Sequence, residues 1–116
     1  MNFRELRVYQ KAYANSLEIH KVSMEFPKYE QYELGSQMRR ASKSVAMNVA
    51  EGYGKGYSKA EFKRFLMMAL GSNDEVRVQL DYCRDLGYIT SEQHSHYEAE
   101  CVAVGKMLTT MLKKWQ

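Results

Sequence analysis

The chain has 116 residues and a mass of 13.6 kDa, with 45% hydrophobic and 27% charged side chains. That balance describes one ordinary globular domain over residues 1–116 and excludes a disordered chain. A single proline argues against a loop-rich β fold, no apolar run approaches the roughly 18 residues of a membrane span, and a net charge of +3 is low for a dedicated nucleic-acid binder.

The apolar spacing is helical from end to end. The opening segment is charged and amphipathic, without the apolar core of a signal peptide. The first stripe runs through Leu6, Tyr9, Tyr13, Leu17 and Met24, with Val8, Ala12, Ile19 and Val22 beside it. Phe26-Pro27-Lys28-Tyr29 ends that helix, because the proline ring blocks continuation. The second stripe is Leu34, Met38, Ala41, Val45 and Val49. Gly52-Tyr53-Gly54-Lys55-Gly56-Tyr57 closes it, each glycine costing helix about 1 kcal/mol.

Ser58 suits the N-cap of a third helix, with Glu61 completing a capping box. Its stripe is Phe62, Phe65, Ala69, Asn73, Val76, Leu80 and Cys83, and Gly87 fits the position just past its end. Thr90 or Ser91 caps the fourth, with Gln93 three residues after Thr90. His94, Tyr97, Cys101, Val104, Leu108, Met111 and Trp115 then alternate steps of three and four, the seam of a left-handed bundle. The predicted architecture is all-α: an antiparallel up-down-up-down four-helix bundle with helices at about 4–25, 31–52, 58–86 and 91–115.

Several motifs that suggest chemistry fail on spacing. The glycine run lacks both a preceding strand and a Gly-Lys-Ser/Thr sequence, so it is a turn and not a nucleotide loop. His94 and His96 point to opposite sides of a helix, and no Glu-x-x-His pair occurs, so no metal or other cofactor is expected. Cys83 and Cys101 sit on core stripes at levels about 10 Å apart, beyond disulfide reach. Buried free thiols in a reducing cytoplasm are expected. On the second helix Asn48 neighbours the apolar stripe and Glu51 follows a turn later; with Ser72 of the third helix they are expected to form a buried polar network. Gly71 and Ser72 are expected to permit a close helix crossing.

Charge is concentrated between residues 39 and 64. Arg39, Arg40, Lys43, Lys55, Lys59, Lys63 and Arg64 are opposed there only by Glu51 and Glu61. Such a surplus attracts phosphate. Tyr53 and Tyr57, interleaved with Lys55 and Lys59, add faces on which bases can stack.

The second-helix run Gln37-Met38-Arg39-Arg40-Ala41-Ser42-Lys43-Ser44-Val45-Ala46-Met47-Asn48-Val49-Ala50-Glu51-Gly52 resembles the signature Q-x-R-R-A-x-x-S-x-x-x-N-x-A-E-G. Leu6-x-Val8-Tyr9-Gln10-x-Ala12, Phe26-Pro27-x-x-Glu30-x-Tyr32-x-Leu34 and Phe65-Leu66-x-x-Ala69-x-Gly71-Ser72-x-x-Glu75 match as well. The chain thereby resembles the four-helix bundle proteins encoded within intervening sequences of bacterial 23S ribosomal RNA genes. The accessory proteins of diversity-generating retroelements are more distant kin. The resemblance implies the same bundle, assembly into a ring, typically a pentamer, and no enzymatic activity. The retroelement relatives bind a reverse transcriptase and nucleic acid through a basic surface.

The expectation is a non-enzymatic, cytoplasmic homo-oligomer with no small-molecule substrate and no membrane. It would bind structured RNA or a nucleic-acid enzyme through the seven basic residues. The alternative is a protein–protein scaffold without a nucleic-acid role.

Overall fold

A computed structural model describes residues 2–114. Four long helices, α1 (Arg7–Ser23), α3 (Leu34–Gly54), α4 (Lys59–Asp85) and α5 (Ser91–Lys114), form a body of 44 × 23 × 20 Å. A short helix α2 (Lys28–Gln31) fills the connection after Pro27, and a single 3-10 turn, Phe3–Glu5, precedes α1. Short connections make successive long helices antiparallel. α1 packs on α3, α3 on α4, α4 on α5, and α5 returns to α1, closing the four-helix bundle.

The helix ends follow local chemistry. Glu61 N–H donates to Ser58 Oγ at 3.3 Å and caps α4, but the Glu61 carboxylate turns to Arg64 instead of closing the box. Gly87, at φ 80°, ends α4; its N–H reaches Arg84 O, and Tyr88 N–H reaches Cys83 O at 2.8 Å. Thr90 and Gln93 make the reciprocal pair, Gln93 N–H to Thr90 Oγ1 and Thr90 N–H to Gln93 Oε1.

Two expectations about glycine are reversed. α3 runs through Gly52 to Gly54, so the turn is only Lys55–Ser58. Gly52 is a packing residue: a Cβ there would lie 3.1 Å from Phe65 Cβ, so α4 approaches α3 where a side chain is missing. Tertiary contact overrides the weak helix propensity. Gly71, by contrast, is exposed, and among the described residues nothing lies within 4 Å of where its Cβ would be.

The core divides into two apolar clusters. One gathers Ile19, Val22, Phe26, Met38, Ala41, Val76, Leu80, Cys83, Ile89, Tyr97 and Cys101; the other Val8, Ala12, Val45, Ala46, Val49, Phe62, Leu66, Ala69, Val104 and Leu108. The stripes of the last three helices face inward, although Trp115, the last seam position, lies outside the described residues. On α1 only the Val8, Ala12, Ile19, Val22 set is buried. Tyr13, Leu17 and Met24 are exposed, because a bundle helix hides one face and the two sets lie on different faces. Both thiols are fully buried and free, and burial pushes each up to about 12.

A candidate nucleic-acid interface at one end of the bundle

The seven basic residues do not form one patch. Arg39 is half-buried and committed to the fold: it donates to Ser23 Oγ at 2.9 Å and to Gln31 O at 2.7 Å, tying α1, α2 and α3 together. Gly35 leaves room for this guanidinium; a Cβ there would lie 3.2 Å from it. Arg40 and Lys43 are exposed on the same stretch of α3. Burial first, and then the charges of Lys43 and Arg39, hold His20 below its ordinary value. Lys55 lies sixteen residues after Arg39, about 24 Å along the axis. It belongs with Lys59, Lys63 and Arg64 at the other end of the bundle.

Arg64 is partly spent. Its Nε lies 2.6 Å from Glu61 Oε2, and the pairing raises the guanidinium and lowers the carboxyl from their ordinary values. Lys55, Lys59 and Lys63 join no ion pair among the described residues.

The antiparallel topology adds cations that a linear reading separates. The half of the bundle built on the Val8–Leu108 cluster comprises residues 2–14, 45–72 and 103–114. It carries ten basic side chains against Glu5, Glu51 and Glu61, a net of seven positive charges, of which Lys11 is paired across the boundary with Glu100 at 2.7 Å. The other half carries seven basic and eleven acidic side chains, a net of four negative charges. Helix dipoles cancel in an antiparallel bundle, so this axial polarity comes from side chains.

Arg7, Lys106 and Lys114, from opposite ends of the sequence, rim one cleft of about 460 Å³ floored by Leu6, Val8, Met107 and Met111. Sequence reasoning missed Arg4, Arg7, Lys106, Lys113 and Lys114. The signal was there: from residue 102 onward the chain holds three lysines and no acid. In the acidic half two of the seven cations are paired, Arg77 with Glu98 at 2.8 Å and Arg84 with Asp85 at 3.0 Å.

The polar trio of Asn48, Glu51 and Ser72 resolves differently from expectation. Asn48 Nδ2 donates to Ser44 O and to Ser44 Oγ, and Ser44 Oγ meets Ser72 Oγ at 2.9 Å. Ser44 is therefore the link between α3 and α4. Glu51 is exposed and stands outside this network, because one turn beyond Asn48 the α3 face has rotated towards solvent.

No group of three His, Cys, Asp or Glu side chains converges as a metal site among the described residues. No helix there is long and apolar enough to cross a membrane.

The sequence profile described as 23S rRNA-intervening sequence protein matches residues 4–110. A crystal structure of a protein with unknown function from the S23 ribosomal protein family of Bacteroides thetaiotaomicron VPI-5482 superposes with a TM-score of 0.84. It shares 22% sequence identity, and the match covers 91% of this chain and 95% of that one. That likeness establishes the fold. No curated relative matches the chain. The profile spans all four long helices, and on that match the chain belongs to the 23S rRNA-intervening sequence protein family.

Proposed function

We propose that this chain is a non-enzymatic, ring-forming homo-oligomer, a pentamer, that binds structured RNA or a nucleic-acid-processing partner in a bacterial cytoplasm. The observation that carries the RNA reading is the basic half of the bundle, where three distant segments gather seven net positive charges. Such an end attracts a polyanion and orients the long axis towards it before contact. Lys55, Lys59 and Lys63, with Arg7, Lys106, Lys113 and Lys114, are the phosphate contacts in this reading. Arg40 and Lys43 belong to a separate, weaker surface, and Arg39 is structural.

Self-association is supported by two unlike apolar faces. One is a groove of about 420 Å³ between α1 and α3, lined by Phe3, Tyr9, Tyr13, Leu17 and Met47, with Lys43 at its rim. The other lies across α3 and α4, where Leu34, Val78, Tyr82 and Leu86 are bordered by Glu30, Glu33 and Glu75. Faces that differ in shape and oppose in charge pair head to tail, and a head-to-tail contact that closes makes a ring. Multiplying the basic end around a ring strengthens a weak contact through multivalency. The neutral buried thiols suit a reducing compartment.

Two measurements test this. Sedimentation at micromolar concentration should give a multiple of 13.6 kDa; a monomer refutes the ring. RNA mobility shifts at two salt concentrations should weaken steeply with salt and vanish in Arg7→Glu/Lys55→Glu/Lys59→Glu/Lys114→Glu. Arg39 stays intact in that variant because its loss disturbs the fold. Equal binding by parent and variant refutes the basic end as the contact. An assembled ring that binds no RNA at low salt leaves the scaffold reading, which the two apolar faces support independently.

A further inference from the structure

Halfway along the bundle, where the two apolar clusters meet, the interior turns polar. Asn15 of α1, Ser42 of α3, Asn73 of α4 and Cys101 of α5 line a void of about 10 Å³, one residue from each long helix. Asn15 is only 6% exposed. Its Nδ2 donates to Cys101 Sγ at 3.6 Å, while its Oδ1 is buried with no partner among the described residues. Turning the carboxamide over exchanges the two atoms but still leaves one end unmatched. A buried amide oxygen without a donor costs about 1–3 kcal/mol, so it calls for an explanation.

We propose that the void is a binding site for one water molecule, which donates to Asn15 Oδ1 and bridges to Ser42 and Asn73. Its volume is about that of the single probe sphere one water needs, and too small for any larger ligand. Its lining has the two to four polar partners that hold a buried water. Ser42 Oγ donates to Arg39 O at a long 3.3 Å and keeps its lone pairs. Asn73 Nδ2 gives one hydrogen to Cys101 O at 2.9 Å and keeps the second. Water both donates and accepts, so it satisfies either orientation of Asn15. A cation is poorly served, because the lining holds no carboxylate or imidazole and the Cys101 thiol keeps its proton. A wholly apolar void would stay dry, but here each helix adds a polar side chain or thiol beside the apolar Ala12, Val45, Val76 and Val104.

The test is crystallography of the full chain at a resolution that orders waters, alongside NMR of the same protein. A density peak within about 2.6–3.2 Å of Asn15 and of Ser42 or Asn73 is expected. So is a water NOE to the Ala12 and Val76 methyl groups. Asn15→Leu should abolish both, and Ser42→Ala should keep the NOE, separating bound water from hydroxyl exchange. An empty or collapsed void in the parent crystal overturns the proposal. So does a peak that survives Asn15→Leu unchanged. Should Asn15→Leu fail to fold, the parent crystal and its NOE decide the matter alone.

Discussion

Replacing Gly71 and Gly52 by alanine should move stability in opposite directions, although both sit inside long helices. At Gly71 nothing among the described residues lies within 4 Å of the added Cβ. The substitution therefore delivers only the backbone gain of alanine over glycine in a helix, about 0.8–1 kcal/mol. For a chain of this size that is a rise in Tm of roughly 3–6 °C. At Gly52 the same gain is opposed by a clash. The new Cβ would lie 3.1 Å from Phe65 Cβ and 3.4 Å from Phe62 O. Neither atom is the free end of a flexible side chain, so α3 and α4 must part. Overpacking of this kind costs about 1–3 kcal/mol, leaving a net loss of about 0–2 kcal/mol. The assay is urea denaturation at one fixed protein concentration, since self-association would shift the midpoint by mass action. The two variants should differ by about 1–3 kcal/mol. Equal stabilisation by both would refute the close crossing at Gly52.

Glu51→Ala should leave urea stability within about 0.5 kcal/mol of the parent, because Glu51 is exposed. Asn48→Leu should lose about 1 kcal/mol in the same assay, since it removes both bonds to Ser44. Thr90→Ala should cost about 1 kcal/mol by uncapping α5. Iodoacetamide should label neither cysteine of the native protein and both after unfolding, because the thiols are buried and protonated at neutral pH. His20 is held below its ordinary value by burial and by Lys43 and Arg39, so the unfolded chain takes up its proton first as pH falls. Stability should therefore decline as pH drops below about 6.5, and His20→Gln should flatten that slope in melts between pH 7 and 5.

Most of the bundle could be read from spacing, because a buried helix face repeats along one chain segment. Met38, Ala41, Val45 and Val49 are legible without any knowledge of their partners. The choice between two apolar faces of α1 was not, since Leu17 and Ile19 are equally apolar and only the neighbouring helices decide which is covered. Gly52 was misread for a related reason: its role depends on Phe65 of another helix. The candidate interface suffered most. A sequence window joins Arg39 to Lys55, which the fold separates, and divides Lys55 from Arg7 and Lys114, which topology returns to the same end. Arg39 looked like a free cation because nothing local reveals that Ser23 and the Gln31 carbonyl wait for it.

The division of the core has a consequence for how the protein opens. Every long helix contributes to both clusters, so neither half is a separable unit, yet each half has its own apolar interior. Like charge is more crowded in the half built around Leu66 and Leu108, a net of seven positive charges against four negative in the other. Transient fraying should therefore start at that end and halt at the Asn15–Asn73 layer. Amides near Val49, Leu66 and Leu108 would then exchange with solvent sooner than those near Ile19, Leu80 and Tyr97. A polyanion held at that end would slow the first group and leave the second unchanged.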